Sequence, residues 1–308
     1  MIVYLSEHIH PSAVEKLKSY AKVVDTFEEI EKIDAIILRN IDVTKEMIQK
    51  AKKLKVIGKH GVGCNTIDLE AAKENTVKVL NTPTANADSV AEMITGLFIM
   101  MSRRVYEANL KSRRGEFESV APSDFLGTEL SGKVLGLIGV GNIGQRVASI
   151  LRNGFNVEVI CYDPFLSQER AEELELKKVE TLKELLRNSD LVNISVPLTK
   201  DTKNLVSGNV FDYFKPNAIL VNAARGGIVN EEDLYHALVN KKLQGAACDA
   251  FVEEPPTSEN KLLSLENFSA TPHIGGNTEE ALFRAGMQVV DNVINILEGK
   301  PAKGLVIG

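Results

Sequence analysis

The chain has 308 residues, of which 44% are hydrophobic and 25% are charged, and its formal net charge is −6. This balance is typical of a globular protein that is long enough for two domains and needs no disulfide or structural metal to bury a core. The acidic charge argues against a general nucleic-acid binder and against attraction to an anionic membrane.

The first part of the chain alternates strand and helix patterns. Apolar runs predict strands at residues 2–5, 35–38, 55–57 and 77–80, and apolar residues at helical spacing predict helices at 12–20, 45–53 and 67–74. A long helix is predicted from Ser89, where Ser89 and Glu92 have the spacing of a capping box. Residues 115–128 lose this periodicity and are predicted to form a connecting loop.

After residue 133 the alternation resumes. Strands are predicted at residues 134–138, 157–162, 191–196, 218–222, 245–249 and 268–270, and helices at 142–151, 181–188, 231–241 and 279–297. Strands separated by helices of this length indicate βαβ units and parallel sheets, so the fold class is α/β.

A glycine-rich loop follows the strand at residues 134–138. Its sequence, Gly139-Val140-Gly141-Asn142-Ile143-Gly144, fits the pattern G-x-G-x-x-G, and Asp163 lies 19 residues further on at the end of the next strand. In dinucleotide-binding folds such a loop brings pyrophosphate to a helix N-terminus, and the acidic residue binds the adenine ribose. Because the charge of Asp163 disfavours a 2′-phosphate, we expect NAD rather than NADP.

Three later segments each place polar or charged residues just after a predicted strand, at residues 222–227, 249–256 and 270–276. In an open α/β sheet this edge is where ligands bind. An arginine followed by two glycines, as at Arg225, suits the bidentate binding of a carboxylate at close range.

These segments and the glycine loop together resemble the D-2-hydroxyacid dehydrogenase family over essentially the whole chain. The family places an arginine in N-x-A-R-G, a glutamate in D-x-F-x-x-E-P and a histidine in P-H-x-G, and this chain has Arg225, Glu254 and His273 at those positions. The resemblance implies that Arg225 binds the substrate carboxylate. It also implies that His273 exchanges the hydroxyl proton during hydride transfer to NAD, and that Glu254 orients the imidazole.

The resemblance also implies two sets of binding residues. The expected cofactor contacts are Gly139, Gly141, Asn142, Ile143, Gly144, Asp163, Val196, Pro197, Ala223, Ala224, Asp249, Gly275 and Gly276, with Asp249 near the nicotinamide amide. The expected substrate contacts are Arg39, Lys59, His60, Gly61, Val62 and Gly63, together with Arg225 and His273. Arg39 and Lys59 are candidates for a phosphate subsite, and the loop at residues 60–63 can offer amides to a carboxylate.

The family arrangement implies two Rossmann-like or flavodoxin-like domains with parallel sheets. We expect residues 1–98 and 284–308 to form a discontinuous substrate domain and residues 99–283 to form the inserted NAD domain, with substrate in the cleft between them. By the same analogy we expect a homodimer or a dimer of dimers.

Further segments resemble the branch of the family that oxidises 3-phospho-D-glycerate in serine biosynthesis, notably residues 81–83, 89–92, 125–130, 224–229 and 253–256. Two features depart from that branch: Lys59 stands where an arginine is usual, and residues 118–124 contain no basic residue. The chain ends at Gly308 without the regulatory domain of longer relatives, so we expect no feedback through such a domain.

Two alternatives remain open. One is a reductase of hydroxypyruvate, glyoxylate or another 2-keto acid, and the other is an NAD-sensing binding protein that resembles the corepressors sharing this fold. Dependence of activity on Arg39 and Lys59 would distinguish the first alternative from a phosphoglycerate enzyme.

The remaining patterns concern location and metals. Cys64, Cys161 and Cys248 lie far apart, which argues against a disulfide framework and for a reducing compartment. The N-terminus has no signal-peptide pattern and no apolar run is long enough to span a bilayer, so we expect a cytoplasmic protein. His8 and His10 have no clustered partner ligands, and no metal site is predicted.

Overall fold

The computed structural model describes residues 1–308, which divide into two compact units. The first unit comprises residues 1–87 and 276–308, and the second comprises residues 88–275. The predicted boundaries at 98/99 and 283/284 cut through two helices, whereas the observed ones leave these helices almost entirely within one unit each. Val90, Ile94 and Phe98 belong to a core cluster of the second unit, and Val289 belongs to one of the first.

The N-terminal part of the first unit contains five strands and three helices. The strands are β1 (Ile2–Leu5), β2 (Lys22–Val24), β3 (Ala35–Leu38), β4 (Val56–Lys59) and β5 (Lys78–Leu80). The helices are α1 (Pro11–Tyr20), α2 (Lys45–Lys50) and α3 (Leu69–Glu74). Side chains of His10, Thr44 and Asp68 cap the three helices, because each accepts a hydrogen bond from a first-turn amide.

The second unit contains seven strands and six helices. The helices are α4 (Ala87–Ser102), α5 (Val105–Arg114), α6 (Asn142–Phe155), α7 (Gln168–Glu173), α8 (Leu182–Asn188) and α9 (Glu231–Val239). The strands are β6 (Val134–Ile138), β7 (Glu158–Tyr162), β8 (Lys177–Lys178), β9 (Leu191–Ile194), β10 (Ile219–Asn222), β11 (Gly245–Cys248) and β12 (Phe268–Ala270).

The predicted capping box at Ser89 is wrong. Helix α4 begins two residues earlier, at Ala87, so Ser89 is buried within its first turn. The following helix, α5, starts after Arg104, whose left-handed φ of 51° separates it from α4. Helix α5 ends at Arg114, and the predicted loop begins at the next residue, Gly115.

Two final elements return to the first unit: α10 (Glu279–Leu297) and β13 (Leu305–Ile307). The sheet of this unit has the order β13-β5-β4-β3-β1-β2, and only β13 is antiparallel. Helix α10 lies close against β4 because Gly58 has no side chain. A Cβ there would come within 2.7 Å of both Val289 and Val293.

The seven-stranded sheet of the second unit is entirely parallel, with the order β12-β11-β10-β9-β6-β7-β8. Its buried side chains form one core cluster on each face. Read from β8, this is the strand order of a dinucleotide-binding Rossmann fold with one further strand, and the order reverses between β6 and β9. The predicted α/β class with parallel sheets is confirmed. No helix of the protein combines the length and the apolar composition needed to span a bilayer.

Candidate active site

The predicted functional residues of the second unit follow the carboxyl ends of its parallel strands. Gly139 follows β6, Asp163 follows β7, Val196 and Pro197 follow β9, Arg225 follows β10, Glu254 follows β11 and His273 follows β12. Parallel strands bring these ends to one edge of the sheet, which is the edge where open α/β folds bind ligands.

The glycine loop between β6 and α6 is shaped by two close approaches. Gly139 has a φ of +89°, and a Cβ on it would lie 2.6 Å from Cγ1 of Val196. A Cβ on Gly144 would lie 2.7 Å from the carbonyl oxygen of Gly139. The chain's own packing therefore requires glycine at both positions.

Gly141 differs from these two glycines. Its φ of −73° and ψ of −173° suit any residue, and a Cβ on it would find only the Ser195 carbonyl oxygen, 3.9 Å away. As the N-cap of α6, Gly141 makes no side-chain hydrogen bond to the helix, which begins at the next residue. The space beside Gly141 and the first-turn amides of α6 fit a pyrophosphate held at a helix N-terminus.

Asp163 is joined to the glycine loop by its carboxylate. Oδ2 accepts a hydrogen bond from the Val140 amide at 3.0 Å, and Oδ1 accepts one from the Phe165 amide at 2.9 Å. Each carboxylate oxygen can accept a second hydrogen bond. The side chain is thus held at the loop and can still accept hydrogen bonds from the hydroxyls of a ribose.

The turn that carries Arg225 is organised by Asn222, a buried residue at the end of β10. The Asn222 side chain donates to the Arg225 carbonyl at 3.0 Å and accepts from the Ala224 amide at 3.1 Å. Gly226 lies directly against the neighbouring backbone, since a Cβ there would come within 2.0 Å of the Phe251 carbonyl group. Arg225 therefore stands on a turn that is packed against the loop after β11.

That loop carries Glu254, which contacts His273. Glu254 Oε2 lies 2.9 Å from His273 Nδ1, and Glu254 Oε1 accepts the Phe251 amide at 3.0 Å. An ionised carboxylate can only accept, so Nδ1 of the imidazole carries the shared proton. This leaves Nε2 of His273 to exchange a proton with a ligand.

Asp249 is almost fully buried and holds the loop on which His273 lies. Its Oδ1 accepts from the Thr271 hydroxyl at 2.7 Å and from the Ile274 amide at 2.8 Å, and its Oδ2 accepts from the Gly275 amide at 2.8 Å. The family resemblance implies that Asp249 lies near the nicotinamide amide, and it gives no indication of these contacts with the His273 loop. Its partners are 22 to 26 residues away, which no local pattern could reveal.

The predicted substrate residues between Arg39 and Gly63 belong to the first unit, as does Gly276. The other two, Arg225 and His273, belong to the second unit. Lys59 is buried, and its ammonium group donates to the Arg39 carbonyl and, at 3.3 Å, to the Thr66 hydroxyl. The Arg39 guanidinium is partly exposed and donates to Asn277 at 3.1 Å, while its backbone amide donates to Glu7. Burial opposes ionisation of Glu7. Hydrogen bonds from Ser6 and from the amides of Asn40, Arg39 and Ile41 outweigh it, so the pKa of Glu7 is lowered.

The loop after β4 is braced by the segment that follows β5. The Gly61 amide donates to the buried Thr82 hydroxyl at 2.9 Å, and Asn81 donates to the Val62 carbonyl at 2.7 Å. These contacts leave the amides of Val62 and Gly63 for an external acceptor. His60, the first residue of this loop, contacts the first unit's last helix instead. It is buried, which lowers its pKa, and its Nε2 lies 3.4 Å from the Leu282 carbonyl oxygen.

Comparison with known proteins agrees with this geometry. The family described as "D-isomer specific 2-hydroxyacid dehydrogenase, NAD binding domain" matches residues 95–275, which is almost the whole second unit. The chain belongs to the D-isomer specific 2-hydroxyacid dehydrogenase family. The cofactor of the matched domain is NAD, as predicted.

Individual relatives of this dehydrogenase chain carry different names. It is 38% identical to the D-3-phosphoglycerate dehydrogenase of Methanocaldococcus jannaschii, over 99% of this chain and 59% of that protein. It is also 38% identical to the hydroxypyruvate reductase of Thermotoga maritima, over 96% of this chain and 98% of that protein. The chain thus spans well under two thirds of the first relative and nearly all of the second. The crystal structure of the TT0316 protein from Thermus thermophilus superposes over 100% of both chains with a TM-score of 0.91 and 30% identity.

Proposed function

We propose that the protein is an NAD-dependent D-2-hydroxyacid dehydrogenase that oxidises 3-phospho-D-glycerate to 3-phosphohydroxypyruvate. The hydrogen-bonded pair of Glu254 and His273, at the ligand-binding edge of an NAD-binding domain, is the observation that supports this proposal most directly. An acid–base group beside a hydride acceptor is the minimum that the reaction requires.

The proposed chemistry uses three side chains. The Arg225 guanidinium binds the substrate carboxylate and polarises the oxygen on C2. Nε2 of His273 removes the hydroxyl proton while Glu254 holds Nδ1, so that the C–O single bond becomes a carbonyl. The glycine loop at Gly141 and the carboxylate of Asp163 would hold NAD, which would supply the acceptor for the hydride of C2. In the reverse direction His273 returns its proton to the carbonyl oxygen.

The phosphorylated substrate is proposed from the first unit and from the relatives. Arg39 has a partly exposed guanidinium that suits a phosphate, and the amides of Val62 and Gly63 suit a carboxylate. Several similar proteins carry the name D-3-phosphoglycerate dehydrogenase. Lys59 contributes less than the sequence suggested, because its ammonium group is buried and already donates to the Arg39 carbonyl.

A second candidate is the reduction of hydroxypyruvate or a related unphosphorylated 2-keto acid. The engagement of Lys59 inside the protein favours it, because a phosphate site would then depend on Arg39 as its basic side chain. The similarity to the Thermotoga maritima hydroxypyruvate reductase, which spans nearly the whole of both chains, also supports it.

A substrate panel separates these proposals. Purified protein is offered 3-phosphoglycerate, D-glycerate and D-lactate with NAD or NADP, and hydroxypyruvate and glyoxylate with NADH, while absorbance at the reduced nicotinamide is followed. Preference for 3-phosphoglycerate supports the first proposal, and preference for an unphosphorylated acid supports the second. Tight NADH binding without turnover of any acid contradicts both and favours an NAD-sensing protein.

The phosphate assignment is tested by Arg39→Gln, with Lys45→Gln as the control. Lys45 is an exposed lysine of the same unit that pairs with Glu74, so its substitution removes one positive charge at another place. Arg39→Gln is expected to raise KM for 3-phosphoglycerate and to leave KM for D-glycerate unchanged. An equal effect on both acids would contradict a phosphate role.

We also propose that the protein assembles as a homodimer or a dimer of dimers, by analogy with its family. Light scattering coupled to size-exclusion chromatography tests this. A mass equal to that of the single chain at all concentrations would contradict it.

A further inference from the structure

Glu231 connects two of the loops that carry the proposed chemistry. It is the first residue of α9 and follows the Arg225 turn by six residues. Its carboxylate reaches across to the loop after β11. Oε1 accepts the Val252 amide at 2.7 Å, and Oε2 accepts the Asn260 side-chain amide at 2.9 Å.

The two hydrogen bonds hold both ends of one segment. The segment runs from one donor, at residue 252, to the other, at residue 260, and Glu254 lies within it. The side-chain amide of Asn260 cannot flip without losing a hydrogen bond, because its Oδ1 accepts one from the Leu262 amide at 3.1 Å. A carboxylate has two acceptor oxygens and no donor, and therefore satisfies both donors at once.

The same segment contacts the other two functional loops. The backbone at Phe251 and Val252 packs against Gly226, next to Arg225. Glu254 contacts His273 at 2.9 Å. A shift of this segment would therefore move the partner of the proposed acid–base group and the support of the Arg225 turn together.

We propose that Glu231 is a positioning residue, which locks the Arg225 turn to the Glu254 loop and thereby fixes the Glu254–His273 pair. This inference rests on the proposed function. Glu231 does not act on the substrate itself. Its effect passes through Glu254, so it is expected to appear in kcat and in the pH dependence rather than in NADH affinity.

The adjacent Glu232 provides a matched control. It lies on the same helical turn and carries the same charge near the same helix terminus, but it is exposed and pairs with Lys261 and His236. Glu232→Gln removes one negative charge without touching the Val252 or Asn260 donors. It is expected to retain wild-type kinetics, since exposed ion pairs contribute little.

The variants Glu231→Ala and Glu231→Gln should lower kcat to different extents. Alanine removes both hydrogen bonds. Glutamine keeps an acceptor oxygen for the Val252 amide but places its own NH₂ donor opposite the NH₂ donor of Asn260. We expect kcat to fall by about 10- to 100-fold in Glu231→Ala, the scale for catalytic groups displaced by about 1 Å. We expect a smaller loss in Glu231→Gln, and NADH affinity unchanged in both.

Two readouts separate positioning from general destabilisation. The pH profile of kcat/KM in Glu231→Ala should move toward that of Glu254→Gln. In the double variant Glu231→Ala/Glu254→Gln the loss from Glu231 should largely disappear, because residues that act through one another are not additive. Full additivity, or Glu231 variants that match Glu232→Gln, would overturn the inference.

Hydrogen exchange gives a test that does not depend on turnover. Amides of residues 251–260 should exchange faster in Glu231→Ala and at the wild-type rate in Glu232→Gln. If the wild type is active and the Glu231 variants have unaltered kinetics and exchange rates, this inference alone is overturned. A wild type that is inactive on every acid overturns the proposed function, and the exchange comparison then decides whether Glu231 holds the loop.

Discussion

Gly141→Ala tests whether glycine at this position is required by the cofactor, whereas the packing of the chain itself requires glycine at Gly139 and Gly144. A Cβ at residue 141 has no neighbour closer than 3.9 Å, and the backbone there has φ −73° and ψ −173°, which alanine adopts freely. As the N-cap of α6, alanine costs roughly 0.5–1 kcal/mol relative to glycine. Alanine also reduces the backbone freedom of the unfolded chain, which stabilises the folded state by about 0.4–1 kcal/mol. We therefore expect the free energy of unfolding to be nearly unchanged.

Cofactor binding should respond very differently. A methyl group in the space where the pyrophosphate approaches the backbone forces the phosphates outward and lengthens their hydrogen bonds to α6. A loss of one or two charge-assisted hydrogen bonds, at about 1.5–3 kcal/mol each, corresponds to at least a tenfold rise in Kd for NADH. Fluorescence titration of NADH measures this, and thermal unfolding without cofactor measures stability.

Gly144→Ala is the matched contrast. Its Cβ would lie 2.7 Å from the Gly139 carbonyl oxygen, so the apo protein itself should be destabilised. Wild-type NADH affinity in Gly141→Ala would refute the proposal that the cofactor backbone passes this residue. A large fall in its melting temperature would refute the claim that the fold tolerates a side chain there.

Three further outcomes are expected. His273→Ala should lower kcat by about 10²- to 10⁴-fold while NADH titration remains unchanged, and near-normal turnover would contradict its role as the acid–base group. Burial lowers the pKa of His60, so the unfolded chain binds more protons. The free energy of unfolding of the wild type should therefore fall as the pH drops below about 6.5. Urea unfolding at pH 7 and pH 5 measures this fall, which should be larger in the wild type than in His60→Gln. Burial raises the pKa of Cys161 to about 11 and also raises that of Cys248, so a thiol reagent should modify only Cys64 until the protein is unfolded.

The buried strands in the middle of the two sheets are among the parts of the fold that the sequence predicts correctly. Strands β3 and β6 were predicted with their observed bounds because each is a dense apolar run in the middle of a parallel sheet. The strands that were missed, β2, β8 and β13, have two or three residues and lie at or next to sheet edges. Helix α5 buries none of its residues, so it has no apolar stripe for periodicity to detect.

Similar reasoning explains which parts of the site could be predicted. The family resemblance, carried by two short motifs, implies that Glu254 contacts His273, and the two side chains are 2.9 Å apart in the structure. Lys59 was expected to face a substrate, but a lysine next to a strand end can equally turn inward, and here it donates to the Arg39 carbonyl. The direction of a long side chain depends on tertiary partners that no local pattern specifies.

The residues that hold the proposed catalytic loops in place could not be found in this way. Asp249 accepts three hydrogen bonds from the loop of His273, and Glu231 accepts two from the loop of Glu254, all across at least 21 residues. In each case one carboxylate satisfies several donors that would otherwise leave a loop without a fixed conformation. Motifs identify the groups that carry out chemistry, because the reaction fixes their type. The groups that position them are fixed only by geometry, since any acceptor of the right reach could serve, and they become visible once the strands are brought side by side.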